Sequence, residues 1–298
     1  MAQAKPFVKW AGGKGSVVDR LNTLLPDDFD DWEDVTYVEP FVGGGAMLFF
    51  MLQTHHNIRR AVINDINPDL IKLYSIVKAN PQYLIEVTSS FQAEYSKRDA
   101  GGKKQMFYLS RERFNNESMN ENERAALFLF LNHTCYNGLF RVNNQGKFNV
   151  PFGRYVSTGF DSPETIMETH RVLNSIELNI LCPGDYKKTA LHLSTRGRNF
   201  VYLDPPYRPL STTSYFKEYS NDPFGDQQQV ELKLFCDKLN RRGCSFMLSN
   251  SDSKNDDGTS FFEALYAGYN ITRIEVPRFI NANGQGRSKI KEVLIRNY

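Results

Sequence analysis

The sequence predicts an α/β fold, a doubly wound, mostly parallel sheet interrupted by a mostly helical insert. Three observations predict it. The apolar run Tyr37-Val38-Glu39-Pro40-Phe41-Val42 reads as a buried strand, and Gly43-Gly44-Gly45 and an apolar helical run over 46–52 follow it. A second strand, Ala61-Val62-Ile63-Asn64, ends at Asp65 and leads into another helical pattern. The same rhythm returns from Phe200 onward, after a long stretch of different character.

The elements follow in order. Leu70, Ile71, Tyr74 and Val77 stand at helical spacing in a segment that opens at Pro68. Residues 80–123 are polar and helical in pattern, with Gly101-Gly102 expected as a break. Residues 124–160 contain no Asp or Glu, four cations (Arg124, Arg141, Lys147, Arg154) and eight aromatics, among them Tyr136, Phe140, Phe148 and Tyr155. Phe200-Val201-Tyr202-Leu203 is a strand ending at Asp204, 226–239 a helix, and 244–248 a strand ending at Ser249-Asn250. Two late strands, 269–276 and 290–295, flank a polar loop at 281–289. The expected division is a first catalytic part at 1–70, an insert at 71–162 and a second catalytic part at 163–298.

Composition narrows the function classes. The chain has 298 residues, 41% apolar and 23% charged, which excludes a disordered or fibrous protein. A net charge of +2 gives no whole-chain attraction to an anionic partner, so any nucleic-acid surface must be local. The four cysteines form no C-x-x-C pair and the five histidines lack ligand spacing, so no metal is expected. No apolar run reaches the roughly 18 residues of a membrane span, and residues 1–9 lack a signal-peptide core. The expectation is a cytoplasmic protein without membrane attachment.

Three segments carry chemistry. Glycines after a first strand let backbone approach a ligand closely, although a tight strand-to-helix turn alone would also explain Gly43-Gly44-Gly45. Asp65 at the end of the next strand adds an acceptor for ribose hydroxyls, and the pair points to a nucleoside-containing cofactor. Ala11-Gly12-Gly13-Lys14-Gly15-Ser16 is not a phosphate loop, because Val8 stands where the first glycine is required. It reads instead as a flexible loop from which Trp10 and Lys14 close over a ligand. Asp204-Pro205-Pro206-Tyr207 follows a strand directly, at the sheet edge where such folds bind ligands. Its prolines fix the backbone and remove two donors. A carboxylate, a proline carbonyl and a tyrosine face together make an acceptor pocket for the exocyclic amine of a flat ring.

These segments resemble the Dam-type DNA adenine methyltransferases. The resemblance lies in Phe7-Val8-Lys9-Trp10-Ala11-Gly12-Gly13-Lys14, in Glu39-Pro40-Phe41-Val42-Gly43-Gly44-Gly45, and in Asp204-Pro205-Pro206-Tyr207. It extends to Cys135-Tyr136-Asn137-Gly138-Leu139-Phe140-Arg141-Val142-Asn143 and Phe148-Asn149-Val150-Pro151-Phe152-Gly153-Arg154-Tyr155 in the insert. It implies an α/β methyltransferase sheet with an inserted target-recognition domain. Trp10, Lys14, Gly43, Gly44, Asp65, Asp185 and Asp204 are then expected to bind S-adenosylmethionine, which leaves as S-adenosylhomocysteine. Asp204, Pro205, Pro206 and Tyr207 are expected to be catalytic. Lys9, Tyr136, Asn137, Leu139, Arg141, Pro151, Arg154 and Tyr155 are expected to contact double-stranded DNA, with no metal involved.

The reaction so implied is transfer of a methyl group to the N6 amine of adenine, in GATC, after the base is flipped out of the duplex. It would serve restriction–modification or DNA replication and repair, in a monomeric enzyme. The alternatives are the same chemistry at another recognition sequence, on the amine of cytosine, or on RNA.

Overall fold

A computed structural model describes residues 3–210, 224–277 and 289–298. Along the chain run α1 (Val18–Asn22), β1 (Val35–Glu39), α2 (Ala46–Thr54), β2 (Ile58–Ile63), α3 (Pro68–Ala79), α4 (Pro81–Ser96), α5 (Ala100–Asn116) and α6 (Glu121–Thr134). Then follow α7 (Pro163–Leu173), β3 (Glu177–Ile180), β4 (Asn199–Leu203), α8 (Asp226–Arg241), β5 (Ser245–Ser251), α9 (Phe261–Leu265), β6 (Asn270–Pro277) and β7 (Lys289–Arg296). The loop expected at 281–289 lies almost wholly outside the described residues. Among those described, no helix is long and apolar enough to cross a membrane.

The chain groups into two compact units. The second comprises residues 16–41, 57–63 and 186–298 and carries a sheet in the order β2-β1-β4-β5-β7-β6. The first three of these pairings are parallel and the last two antiparallel. Every residue of β1 and of β4 is buried. A parallel strand covered on both faces reads as a continuous apolar run, which made β4 visible in the sequence, whereas the strand expected over 37–42 lies at Val35–Glu39, because Pro40-Phe41-Val42 already belong to the turn that follows it. Because β1, β4 and β5 run parallel, their carboxyl ends share one edge. β7 runs the other way, so its beginning reaches that same edge, where Glu292 stands opposite Ser251.

The first unit comprises residues 1–15, 42–56 and 64–185. The insert expected at 71–162 lies wholly within it, together with the N-terminal segment and the glycine turn. From α3 onward its helices start where short polar side chains cap them. Asn67 accepts from Leu70 N–H at 3.1 Å, Asn80 from Tyr83 N–H at 3.2 Å, Asn120 from Glu123 N–H at 3.0 Å and Ser162 from Thr165 N–H at 3.3 Å. Proline at the first position of α3, α4 and α7 fixes φ where no amide donor is needed. The expected break at Gly101-Gly102 is displaced. Asp99 accepts from Gly102 N–H at 2.7 Å, so both glycines sit in the first turn of α5 and the break falls just before them.

The core of this unit is α6, of which residues 125–134 are all buried. Three of the eight aromatics of the acid-free stretch, Phe128, Phe130 and Phe148, are buried in it. Phe130 packs on Phe91 at 4.8 Å, and Phe140 lies 5.5 Å from Phe128 and 5.8 Å from Phe148, centroid to centroid. Arg124 is likewise a core anchor rather than a surface cation. Its guanidinium grips Asp69 on α3 through Nε–Oδ1 2.7 Å and Nη2–Oδ2 3.2 Å, donates to the Phe114 carbonyl at 3.0 Å, and lies 4.0 Å over the Phe114 ring. Burial raises the Asp69 carboxyl and the guanidinium pulls it back down.

Arg124→Ala is therefore expected to leave a buried carboxylate without its cation. Since Arg124 is 40% exposed, the expected loss is about 2 kcal/mol, below the full cost of breaking a buried pair. Urea unfolding measures it, and Asp69→Asn added to Arg124→Ala should recover part of the loss. An unchanged midpoint for Arg124→Ala would show that the pair contributes nothing.

Candidate functional site

In the first unit the glycine turn is held open by contacts that only glycine permits. Gly43 has φ +48°, and a Cβ there would lie 2.8 Å from Cδ1 and 2.9 Å from Nε1 of Trp10. Gly45 has φ +76°, and a Cβ there would run into the Tyr74 hydroxyl. That hydroxyl donates to the Gly43 carbonyl at 3.0 Å. Tyr74 was legible only as one more member of an apolar helical stripe, which carries no sign of this bond.

Asp65 ties the turn from the other side. Its Oδ2 accepts from Gly43 N–H at 3.0 Å and its Oδ1 from Asn67 N–H at 2.9 Å. Burial pushes the carboxyl up, while the backbone donors of Asn67, Gly43 and Ile66 hold it down. A carboxylate offers about four acceptor positions, so these three backbone donors do not exhaust it. Asp185 arrives through its own loop: Asn64 Nδ2 donates to the Gly184 carbonyl at 3.0 Å, and Gly184 N–H to the Asp65 carbonyl at 3.2 Å. Asp185 is exposed, as is the apolar side chain of Ile66 beside Asp65. Trp10 lies across Gly43 and Gly44, its ring 6.4 Å from that of Phe140 and nearly parallel to it. Lys14 is buried and donates to the Gly12 carbonyl at 3.0 Å. An acceptor carboxylate, a backbone cradle that side chains would fill, and a neighbouring apolar face form a donor set that fits a nucleoside.

In the second unit Asp204-Pro205-Pro206-Tyr207 leaves β4 at the carboxyl edge, with Asp204 half-buried and Pro205 buried. Polar side chains that no motif announced hold this loop. Gln229 on α8, fully buried, donates to the Pro206 carbonyl at 3.1 Å and accepts from Asn250 Nδ2 at 3.2 Å. Asn250 Oδ1 accepts from Arg208 N–H at 3.1 Å, and Ser251 Oγ donates to the Arg208 carbonyl at 2.5 Å. The Arg208 guanidinium is clamped by Asp226 at 2.8 and 3.3 Å and by the Lys254 carbonyl at 3.0 Å. The Tyr207 hydroxyl donates to Glu292 Oε2 at 3.0 Å. Burial first, then the charges of Asp204 and Glu292, push that phenol far up, so it remains a neutral donor.

The expected DNA-contacting residues gather in the first unit around the end of α6. Lys9 and Asn132 exchange two bonds, Lys9 N–H to Oδ1 at 2.8 Å and Nδ2 to the Lys9 carbonyl at 2.7 Å, and Asn132 also donates to the Gly138 carbonyl at 3.0 Å. Lys9 Nζ donates to the His133 carbonyl at 2.9 Å and stands 4.3 Å over the Tyr155 ring. The Tyr155 hydroxyl accepts from Asn137 N–H at 3.1 Å, and Pro151 accepts from Tyr136 N–H at 2.8 Å. Tyr136 is 46% exposed, the largest open aromatic of the stretch. Leu139 is half-buried, while Asn137, Arg141, Pro151 and Arg154 are exposed. Asn149 Oδ1 accepts from Arg141 Nε at 2.8 Å and fixes the plane of that guanidinium. Of the later cations, Arg273 pairs with Asp252 at 2.9 Å and Glu263 at 2.8 Å, whereas Arg278, Arg287 and the side chain of Lys289 lie outside the described residues.

Over residues 10–280 the sequence matches the family model of the D12 class N6 adenine-specific DNA methyltransferases. It is 40% identical over 299 residues to a type II methyltransferase of Methanocaldococcus jannaschii, covering 99% of this chain and 100% of that one. It is 34% identical over 292 residues to a DNA adenine methylase of Haemophilus influenzae, covering 97% and 92% of the two chains. A DNA adenine methylase of Escherichia coli is 33% identical over 295 residues, with 99% and 95% covered.

Gly43→Ala tests the cradle. A side chain in the left-handed region costs about 1–2 kcal/mol, and here it also displaces the Trp10 ring. The expected result is a lower urea midpoint and a shifted Trp10 emission, read in a Trp32→Phe background. Unchanged emission would mean that the indole does not rest on this turn.

Proposed function

The chain belongs to the D12 class N6 adenine-specific DNA methyltransferase family, and on that premise we propose that it methylates the adenine of GATC in duplex DNA after flipping the base. The observation that carries the chemistry is the acceptor geometry after β4. Gln229 ties down the Pro206 carbonyl, and this reading assigns the amine to Asp204 and the Pro205 carbonyl. S-adenosylmethionine, when bound, supplies an electrophilic methyl group on a sulfonium. Asp65 would hold the ribose hydroxyls, Gly43 and Gly44 would admit the chain of the cofactor, and Ile66 and Asp185 would meet its purine. Trp10 and Lys14 belong to the loop that closes this pocket.

The adenine amine is a weak nucleophile because its lone pair is delocalised into the ring. Asp204 and the Pro205 carbonyl, accepting its two hydrogens, favour a pyramidal nitrogen and return density to the lone pair. With the cofactor bound, methyl transfer to this nitrogen, at the expense of the carbon–sulfur bond, would leave positive charge on the nitrogen. Asp204 is aimed where that charge develops, which is the effective place for an electrostatic group. The surplus proton leaves the nitrogen along the hydrogen bond to Asp204. Tyr207 offers its ring to stack on the extruded base, whose removal from the duplex costs a few kcal/mol. Tyr136, open to solvent, is placed to fill the gap left in the stack.

Residues 71–162 serve as the target-recognition insert between two catalytic parts, 1–70 and 163–298. Arg141 reads guanine through two parallel hydrogen bonds, its plane set by Asn149. Lys9, Asn137, Leu139, Pro151, Arg154 and Tyr155 complete the contact surface. The same reading takes the enzyme as a monomer of the cytoplasm.

Two substitutions test this. Asp204→Ala is expected to lower methylation on the order of 100- to 1000-fold in folded, cofactor-saturated protein. A rate within threefold of wild type would remove Asp204 from the chemistry. Arg141→Ala is expected to cost about 1–3 kcal/mol at one base position and to relax specificity there. Initial rates on GATC and on each single-base variant, at fixed salt, measure it. A uniform loss across all variants would reassign Arg141 to the phosphate backbone.

A further inference from the structure

The insert carries Arg141 on a short hairpin, residues 141–149. Val142 bridges Phe148 across it, Asn143 N–H donates to the Lys147 carbonyl at 2.9 Å, and Asn149 N–H donates to the Arg141 carbonyl at 3.1 Å. In this antiparallel register the N–H and C=O of Phe148 point away from the partner strand. Phe148 is 3% exposed, so both groups need partners within the protein. Asn115, in the last turn of α5, supplies them from one side chain. Its Oδ1 accepts from Phe148 N–H at 2.8 Å and its Nδ2 donates to the Phe148 carbonyl at 3.0 Å. The carboxamide stands where a third strand would.

Each of these bonds enters a peptide plane whose other edge is held by the inner strand. Nδ2 grips the Phe148–Asn149 peptide, whose N–H holds the Arg141 carbonyl. Oδ1 grips the Lys147–Phe148 peptide, whose carbonyl takes Asn143 N–H. Peptide planes are stiff, so two links run from α5 to the backbone on either side of Val142. A donor and an acceptor on one planar group fix the direction of the strand, which the non-directional packing of the Phe148 ring on Phe114 and Phe140 does not. The end of α5 is fixed in turn, since Arg124 donates to the Phe114 carbonyl at 3.0 Å. At the other end of the chain of contacts Asn149 Oδ1 accepts from Arg141 Nε at 2.8 Å. We propose that Asn115 is a positioning residue for target recognition, holding the hairpin in the orientation from which Arg141 reaches the DNA. This role rests on the reading of Arg141 as a DNA contact, and it falls to a residue of α5 that belongs to none of the motifs.

The test is a double-mutant cycle of Asn115→Ala and Arg141→Ala. It is read as kcat/KM on the duplex that the wild-type enzyme methylates and on its single-base variants, at fixed salt and saturating S-adenosylmethionine. Asn115→Ala is expected to lower kcat/KM about tenfold in the otherwise native enzyme and less than about threefold in the Arg141→Ala background, because a displaced hairpin matters most while it carries the guanidinium. Discrimination is expected to relax at the same base position in the two single variants. Equal losses in both backgrounds, or relaxation at a position that Arg141→Ala leaves intact, would overturn the proposal. The base profile of Arg141→Ala alone decides whether Arg141 reads a base. If it does not, the coupling between the two residues still decides for or against Asn115. If Asn115→Ala does not fold, Asn115→Ser, whose one hydroxyl cannot span both backbone groups, takes its place in both backgrounds: a loss confined to the arginine enzyme supports the proposal, and equal losses overturn it.

Discussion

The first unit depends on one buried carboxylate. Asp65 accepts from the amide of Gly43 and from that of Asn67, and so joins the turn after β1 to the start of α3. Everything around it follows from the need to satisfy that charge away from water. Gly43 must bring its N–H inward, which demands a positive φ and an absent Cβ. Tyr74 on α3 then closes on the Gly43 carbonyl, and Asn67 both donates to Asp65 and caps the helix. In the first turn of the same helix Asp69 meets Arg124, so the helix that begins at the cofactor cradle also anchors α6. The residue expected to bind ribose is therefore structural before any ligand arrives.

The second unit solves a different problem. Two prolines leave the loop after β4 without two of its amide donors, so it cannot be tied down by an ordinary backbone ladder. Side chains replace that ladder. Gln229 comes from a helix, Asn250 and Ser251 from a parallel strand, and Glu292 from an antiparallel one. Buried amides and carboxylates are costly alone but mutually satisfied here, which gives rigidity where the chemistry needs fixed acceptors.

How much of this was legible in the sequence depends on how local the cause is. β4 was legible because burial on both faces leaves a continuous apolar run, β1 only in part because Thr36 and Glu39 interrupt its apolar residues, and the helix starts at Pro68 and Asp226 lie where expected. Gly101-Gly102 misled because a cap at Asp99 overrides the low helix propensity of glycine. The eight aromatics of 124–160 do not share one role: Phe128, Phe130 and Phe148 are buried core, while Tyr136 is open to solvent. Arg124, counted among the cations of that stretch, is tied to Asp69 within the unit. The chemistry-bearing motifs were visible as words, whereas Gln229, Asn250 and Glu292 were not. A single polar residue in an ordinary helix or strand shows its purpose only when the fold brings its partner to it.

The lock between Lys9 and Asn132 has a consequence for synthesis. The residues it joins are 123 positions apart, and His133 reaches the Phe7 carbonyl across 126. On a ribosome adding about 5–20 residues per second, the N-terminal strip waits roughly 6–25 s before α6 emerges to receive it. Phe7 and Trp10 are without their final neighbours Tyr74 and Phe140 for part of that time. Residues 7–10 thus stay without their final partners until α6 has emerged, and a holding chaperone has its longest opportunity at that segment.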